Sequence, residues 1–380
     1  MANEFEIGPI RPPSEAESLL LRITRNCPWN KCRFCKLYKS HSFATRPVAE
    51  IKADIDRVAQ IREDILDWSS VNEESGNELI RKKLNSLSTE SQQCYLHVLQ
   101  WMSAGRKSVF LQDANAMVLS FDKLREILAY LREKLPLTTR ITSYGRVDSL
   151  NKFTVGQLAE LRDAGLDRIH SGYESGSDKV LALLNKGYSK AQEIEAGRKV
   201  KEAGIELSIY YMPGAGGRGL SDENAHETAD VVNKVNPDFV RVRTFVTLPG
   251  TELFDDFGDG SLNECSDKEK MLELKKMIGH IECAGGHLYS DHIINLFEDV
   301  NGNMGADKEK MLSVFAAFEE LDATEQHKYQ IARRMGMVRS LSDYKSLGNP
   351  QTERLNELLA QLGAEQEFEA FLTRLLRRYI

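Results

Sequence analysis

Between residues 106 and 250 the chain alternates short runs of β-branched and aromatic residues with longer runs at helical period. That alternation confines the fold to a parallel sheet with crossover helices. It predicts strands over 19–24, 108–112, 140–144, 168–172, 206–211 and 239–246, and helices over 121–134, 154–164, 177–184, 191–203 and 222–234. Asp163-Ala164-Gly165 and Glu202-Ala203-Gly204 close two of these helices, while Ser177 and Ser221 are placed to open two more. Six βα units favour an open or closed barrel over a flat doubly wound sheet. In such barrels ligands sit on loops at the carboxyl ends of the strands.

Two regions break the pattern. Residues 48–105 form a polar, helix-favouring excursion where one crossover helix is expected, and residues 262–380 are mostly helical by period. Leu355, Leu358, Leu359 and Leu362, then Phe368, Phe371, Leu372 and Leu375, recur at helical spacing and read as packing faces. The expected organisation is a core over 16–255 with a helical insertion at about 60–105, followed by a mostly helical region over 256–380.

Bulk properties narrow the function. No apolar run approaches a membrane span. The segment Met1-Ala2-Asn3-Glu4-Phe5-Glu6-Ile7 is too polar for a signal-peptide core, which points to the cytoplasm and to reduced thiols. The net charge is −7, and the one basic cluster, Arg374, Arg377 and Arg378, reads as a solvated helix end. Electrostatics therefore disfavour a nucleic-acid partner.

Three of the six cysteines fall within Cys27-Pro28-Trp29-Asn30-Lys31-Cys32-Arg33-Phe34-Cys35, just after the first predicted strand. Three thiolates on one short loop can converge on a soft metal centre and leave it one ligand short. A structural zinc completed by His41 is one reading of that set. The tight spacing, with no second Cys/His pair, favours a three-cysteine iron–sulfur cluster.

This loop and the βα alternation after it resemble the radical S-adenosylmethionine (SAM) superfamily, in particular the group related to anaerobic coproporphyrinogen oxidase and the methylthiotransferases. The resemblance covers residues 16–255, and the loop departs from the usual x3-x2 spacing by one residue between Cys27 and Cys32. It implies a partial (βα)6 TIM-like barrel. It further implies that Cys27, Cys32 and Cys35 bind three irons of a [4Fe–4S] cluster, with SAM on the fourth. Reductive cleavage of SAM then yields a radical that abstracts hydrogen from a substrate. By the same resemblance Phe34 abuts adenine, and Asp113, in Gln112-Asp113-Ala114-Asn115, stands where the methionine ammonium is bound. A turn or cap role for Asp113 remains open. Glu174 or Ser175, in Ser171-Gly172-Tyr173-Glu174-Ser175-Gly176-Ser177, faces the ribose. Lys186, in Asn185-Lys186-Gly187, neutralises the SAM carboxylate, and Gly214, in Pro213-Gly214-Ala215-Gly216-Gly217, lets backbone approach the nucleoside.

Substrate contacts are expected from what remains at the strand ends. Tyr144 and Arg146 share a face after the third predicted strand, and Arg241 and Arg243 share one on the sixth. Arginines inside a barrel need anionic partners, so either a substrate carboxylate or phosphate, or an internal salt bridge, accounts for them. Tyr210 or Tyr211 and the cluster His287, Tyr289, Asp291 and His292 are further candidates, whereas Cys94, Cys265 and Cys283 read as inert thiols. The sequence thus points to a cytoplasmic radical SAM enzyme acting on a small anionic substrate, with an electron donor such as flavodoxin or ferredoxin. A non-catalytic iron–sulfur carrier or sensor, and an RNA- or protein-modifying enzyme, are the rival readings.

Overall fold

The computed structural model describes residues 4–70, 73–363 and 365–379; Met1, Ala2 and Asn3 of the polar N-terminal segment lie outside them. Its strands are β1 (Leu19–Arg22), β2 (Thr24–Arg25), β3 (Ala44–Thr45), β4 (Ser108–Gln112), β5 (Arg140–Tyr144), β6 (Leu166–Glu174), β7 (Glu206–Tyr211), β8 (Phe239–Val242), β9 (His287–Tyr289) and β10 (Gly302–Asn303). The main sheet is ordered β1-β4-β5-β6-β7-β8-β9-β10, and β2 and β3 form a separate hairpin. Pairs β1–β4, β4–β5, β5–β6, β7–β8 and β8–β9 are parallel, with β10 antiparallel on the edge. The first six strands of this sheet are the six predicted ones, the partial barrel of an α/β fold.

The chain divides into two compact units. The first comprises Met1–Asn30, Ser40–His170 and Lys199–Glu206; the second comprises Lys31–Lys39, Ser171–Arg198 and Leu207–Ile380.

In the first unit, Val109, Phe110, Leu111 and Gln112 are all buried, as a parallel strand covered on both faces requires. The polar excursion resolves into α1 (Val48–Ser69), α2 (Glu73–Asn85) and α3 (Thr89–Ser103). Helix α1 buries Ile51, Ile55, Val58, Ile61 and Ile65, one stripe at helical spacing under an otherwise charged surface. Ser88 caps α3 by accepting the Ser91 N–H, and Trp68 stacks on Tyr95 with ring centroids 5.2 Å apart. Helices α4 (Phe121–Lys134), α5 (Val147–Leu150) and α6 (Val155–Asp163) follow, the last opened by a Thr154/Gln157 capping box. Below β1, the Glu15 carboxylate accepts from Ser18 Oγ at 2.6 Å, from both Arg140 Nη groups at 3.2 and 2.6 Å, and pairs with His170 Nε2 at 3.2 Å.

The second unit carries α7 (Asp178–Leu183), α8 (Lys190–Glu202) and α9 (Gly217–Val235). Ser177 caps α7 as expected, accepting the Val180 N–H, but Ser221 opens nothing. Helix α9 begins at Gly217, where φ is +63°, and the Ser221 hydroxyl instead donates to Glu273 at 2.7 Å. The expected strand over 239–246 stops at Val242. Beyond it the backbone is satisfied individually: Arg243 N–H donates to Tyr211 O, Thr244 N–H to Asn295 Oδ1 and Phe245 N–H to Pro213 O.

The C-terminal helices are α10 (Glu252–Gly258), α11 (Asp267–Gly279), α12 (Lys308–Glu319), α13 (Ala323–Arg334), α14 (Leu341–Lys345), α15 (Asn349–Gln361) and α16 (Glu365–Leu376). Leu355, Phe368, Leu372 and Leu375 are buried, as their period predicts. Strands β9 and β10 interrupt the expected helices. At two and three residues they are too short to leave a period-2 signature. Arg334 grips Asp267 through two hydrogen bonds of 2.7 and 2.8 Å, both side chains buried.

Candidate active site

The cysteine loop leaves β1 in the first unit and is fixed there by Asp113. Its carboxylate is wholly buried and accepts from Arg22 Nη2 at 2.7 Å and from the Asn26 N–H at 3.2 Å. Asn26 and Asn30 adopt left-handed φ of 66° and 45°, conformations that Asn tolerates best after Gly. Asn30 N–H then points at Cys27 Sγ, 3.4 Å away. The carboxylate that the resemblance gives to the methionine ammonium thus anchors the loop in this structure.

The second unit holds the rest of the loop. Arg33 N–H donates to Leu184 O at 3.0 Å, Asn185 Nδ2 donates to Lys31 O at 3.0 Å, and the Arg33 guanidinium pairs with Glu252 and Asp256 of α10. Phe34 packs against the cluster of Val180, Leu184, Met212, Ala215, Phe245 and Leu253. All six cysteines are free thiols. Among the described residues no three His, Cys, Asp or Glu side chains form a ready-made metal cage. The fit to an iron–sulfur cluster lies in the donor set: Cys27, Cys32 and Cys35 offer three soft ligands on nine consecutive residues, with none spent in a disulfide. His41, the candidate fourth zinc ligand, is exposed beside Ser40 Oγ.

Directly behind Phe34 lies Lys186. Its Nζ sits 5.7 Å from the Phe34 ring centroid, 5.6 Å from that of Tyr188 and 3.3 Å from Glu174 Oε1. Lys186 is 4% exposed, so its charge is held by this carboxylate and these ring faces. Glu174 has a left-handed φ of 69°, and Gly172 leaves the space the pair occupies: a Cβ there would strike Glu174 Oε1. Tyr188 OH donates to Gly172 O at 2.6 Å and locks this strand end to the Asn185-Lys186-Gly187 turn.

Two buried carboxyls on helices, which sequence reasoning missed, lie near this strand end and the next. Neither oxygen of Glu193 on α8 has a hydrogen-bond partner. Burial pushes its pKa well up, against the pull of Lys186. Glu273 on α11 accepts from Gly214 N–H at 3.0 Å, Tyr211 OH at 2.9 Å, Ser221 Oγ at 2.7 Å and Asn224 Nδ2 at 2.6 Å. Burial raises its pKa to about 7 despite these donors. Glu273 thereby fixes Gly214, whose φ is +86°. Ser175 belongs to the same network: its hydroxyl donates to Asn224 Oδ1 at 2.5 Å and accepts from Ser177 N–H, so it is spent within the protein.

The candidate substrate residues fall into two sets. In the first unit Tyr144 packs edge-on against Phe110, and Arg146 pairs with Asp148 at 2.9 Å over the Trp29 ring. The second unit holds Arg241 and Arg243, both facing Asp291 at 3.5 and 3.6 Å. Arg243 lies over the Tyr210 ring and Arg241 over Tyr289, with centroid distances of 5.3 and 5.0 Å. Arg243 Nη2 is buried without a partner. Tyr211, the alternative to Tyr210, is buried on Glu273 instead, and His287 is exposed. Burial, then Arg243, lowers the His292 pKa to about 4, so its ring is neutral near pH 7. Burial raises the pKa of Cys94 and Cys283, and that of Cys265 to about 12, which keeps these thiols protonated.

Comparison with known proteins bears on this site. A family model described as the radical SAM superfamily matches residues 21–232. A tRNA-2-methylthio-N(6)-dimethylallyladenosine synthase of Syntrophus aciditrophicus (strain SB) is 32% identical over 89 residues, covering 23% of this chain and 19% of its own. A tRNA uridine(34) acetyltransferase of Methanocaldococcus infernus is 25% identical over 125 residues, covering 33% of this chain and 23% of its own. The chain therefore spans about a fifth of the length of these curated relatives. Among solved structures, the archaeal Methanocaldococcus infernus Elp3 with an N-terminal deletion superposes with a TM-score of 0.41 at 17% identity, covering 52% of each chain.

Proposed function

Because the chain belongs to the radical SAM superfamily, we propose that Cys27, Cys32 and Cys35 hold three irons of its [4Fe–4S] cluster and that this enzyme acts on a small anionic substrate. Its cofactors are the cluster and SAM, and it requires a substrate and a reductant. Bound together, the cofactors supply a reductively generated carbon radical that takes hydrogen from the substrate.

One observation carries the cofactor assignment: Lys186 Nζ lies between Glu174 and the ring of Phe34, the residue before Cys35. Lys186 offers a positive charge to the SAM carboxylate, Glu174 offers acceptors to ribose hydroxyls, and Phe34 offers a ring face to adenine. Gly214, fixed by Glu273, exposes backbone to the nucleoside. Asp113 serves as the loop anchor, and Ser175 supports the turn after β6. Residues 16–255 form the catalytic core and 256–380 complete its substrate side. Arg241 and Arg243 of the second unit receive the substrate anion; Tyr144 and Arg146 are the substrate candidates of the first unit.

The test is anaerobic reconstitution followed by dithionite and SAM. Four iron and four sulfide per chain, an EPR signal altered by SAM, and 5′-deoxyadenosine formation are expected, all lost in C32A. A cluster whose signal ignores SAM would instead mark an iron–sulfur carrier or sensor. Flavodoxin or ferredoxin is the natural electron donor on this reading.

A second reading takes RNA as substrate, favoured by the tRNA-modifying names of both curated relatives. Against it stand the net charge of −7 and the use of Arg377 to hold Thr247 at 2.7 and 3.0 Å. Salt-dependent retention of tRNA by the reconstituted enzyme would favour RNA; no retention at 50 mM salt favours the small substrate. No helix among the described residues is long and apolar enough to cross a membrane.

A further inference from the structure

We infer that Asp291 occupies the place of the substrate's own anionic group, and that this group is a carboxylate which displaces Asp291 from Arg241 and Arg243. The inference rests on the anionic-substrate reading above and names its chemical class. Each Asp291 oxygen faces one guanidinium: Oδ2 lies 3.5 Å from Arg241 Nη1, and Oδ1 lies 3.6 Å from Arg243 Nη1. Charge-assisted bonds at full strength run about 2.7–2.9 Å, so this pairing is loose and readily exchanged. The guanidiniums are the fixed partners. Arg241 is 4% exposed, donates to Ser208 Oγ at 3.3 Å and is backed by the Tyr289 ring; Arg243 donates to Val242 O at 2.8 Å and is backed by Tyr210. Asp291, by contrast, has a side chain 39% exposed.

Charge calls for an anion, and shape selects its class. Two guanidiniums against one carboxylate leave one positive charge, and His292 beside them is neutral near pH 7. With Asp291 in place the site takes one further negative charge; once Asp291 has swung away the two guanidiniums balance two, carried by two carboxylates or by one dianion, so shape is what separates these. A planar group with two oxygens, each turned to one guanidinium, is the geometry the protein's own side chain already demonstrates. Arg243 Nη2, buried and unpartnered, is the donor that a closer-seated carboxylate would satisfy.

Benzoate and inorganic phosphate, titrated calorimetrically into the anaerobically reconstituted full-length enzyme, test this. Benzoate should bind the wild type more tightly than phosphate does, D291N at least threefold more tightly than wild type, and R243K at least threefold more weakly. Thermal melts of each variant confirm folding. Unchanged or weaker benzoate binding by D291N overturns Asp291 as the displaced counter-ion. Tighter binding of phosphate than benzoate overturns the carboxylate class while leaving an anionic substrate standing. Failure of both anions to bind overturns the anionic-substrate reading itself.

Discussion

Lys186 Nζ and Glu174 Oε1 stand 3.3 Å apart in space that exists because residue 172 has no side chain. A Cβ on Gly172 would meet the Glu174 carboxylate end and come within 3.5 Å of Lys186 Nζ. The obstruction is the tip of a movable side chain, so the fold should tolerate Gly172→Ala. Glu174 should swing off Lys186, and SAM affinity should fall about tenfold, on the order of 1.4 kcal/mol. Equilibrium dialysis with labelled SAM on reconstituted enzyme measures this. Unchanged affinity at normal iron content would remove the pair from the cofactor site.

Glu15 ties three sequence-distant segments together, and its ionisation makes the tie pH-dependent. Burial raises its pKa, but the His170 and Arg140 partners outweigh burial and hold it at about 2. A carboxyl lowered from 4.5 to about 2 stabilises fully above its unfolded pKa, and this contribution is lost as pH falls between those values. The amount is on the order of 3 kcal/mol. Urea midpoints should therefore fall steeply from pH 4.5 to 3 in wild type and less steeply in Glu15→Gln, which should also be less stable at pH 7.

How much of this was legible follows from where the signal lies. Strands 108–112, 140–144 and 206–211 match β4, β5 and β7: Val109-Phe110-Leu111 is the apolar run of a strand buried on both faces, and 140–144 and 206–211 are short β-branched and aromatic stretches set between helical periods. The three cysteines needed no structure to be found. Ser221 misled because Ser before a helical run has the chemistry of a cap, and only the tertiary partner Glu273 shows its hydroxyl is used elsewhere. Glu193 and Glu273 left no trace: a carboxylate at a charged helical position looks like surface until packing buries it. Asp113 and Ser175 were singled out by resemblance, and their internal partners Arg22 and Asn224 lie 91 and 49 residues away, beyond any local pattern.

Glu193 should destabilise the enzyme as pH rises. Burial without a hydrogen-bond donor raises its pKa well above 4.5, so the folded chain keeps a proton that the unfolded chain releases. Stability is then fully present below about pH 4.5 and declines as pH rises toward the folded pKa. Glu193→Gln, neutral at every pH, should not show that decline. Melting temperatures of the two proteins from pH 5 to 8 should diverge in favour of the variant, and parallel curves would mean that Glu193 is ionised and paired.

Glu273 gives the turn after β7 its shape through four donors, and its pKa of about 7 places its titration near neutral pH. Removing the acceptor leaves Gly214 N–H and Tyr211 OH unsatisfied in the interior, at about 1–3 kcal/mol for each stranded group, and leaves Asn224 Nδ2 with Met212 O alone. Glu273→Leu should therefore melt well below wild type. Glu273→Gln is the informative control, since Gly214 N–H, Tyr211 OH and Asn224 Nδ2 all meet Oε1, where its amide oxygen still accepts, while its NH2 faces only the Ser221 hydroxyl, which can accept from it. If Gly214 presents backbone to SAM, Glu273→Leu should keep its cluster and lose SAM affinity about three- to tenfold, while Glu273→Gln should bind SAM nearly as wild type does. Wild-type affinity should change between pH 6 and 8 and that of Glu273→Gln should change less. A Glu273→Leu variant that melts lower yet binds SAM as wild type does would confine Glu273 to holding the fold, and would detach the Gly214 turn from the cofactor.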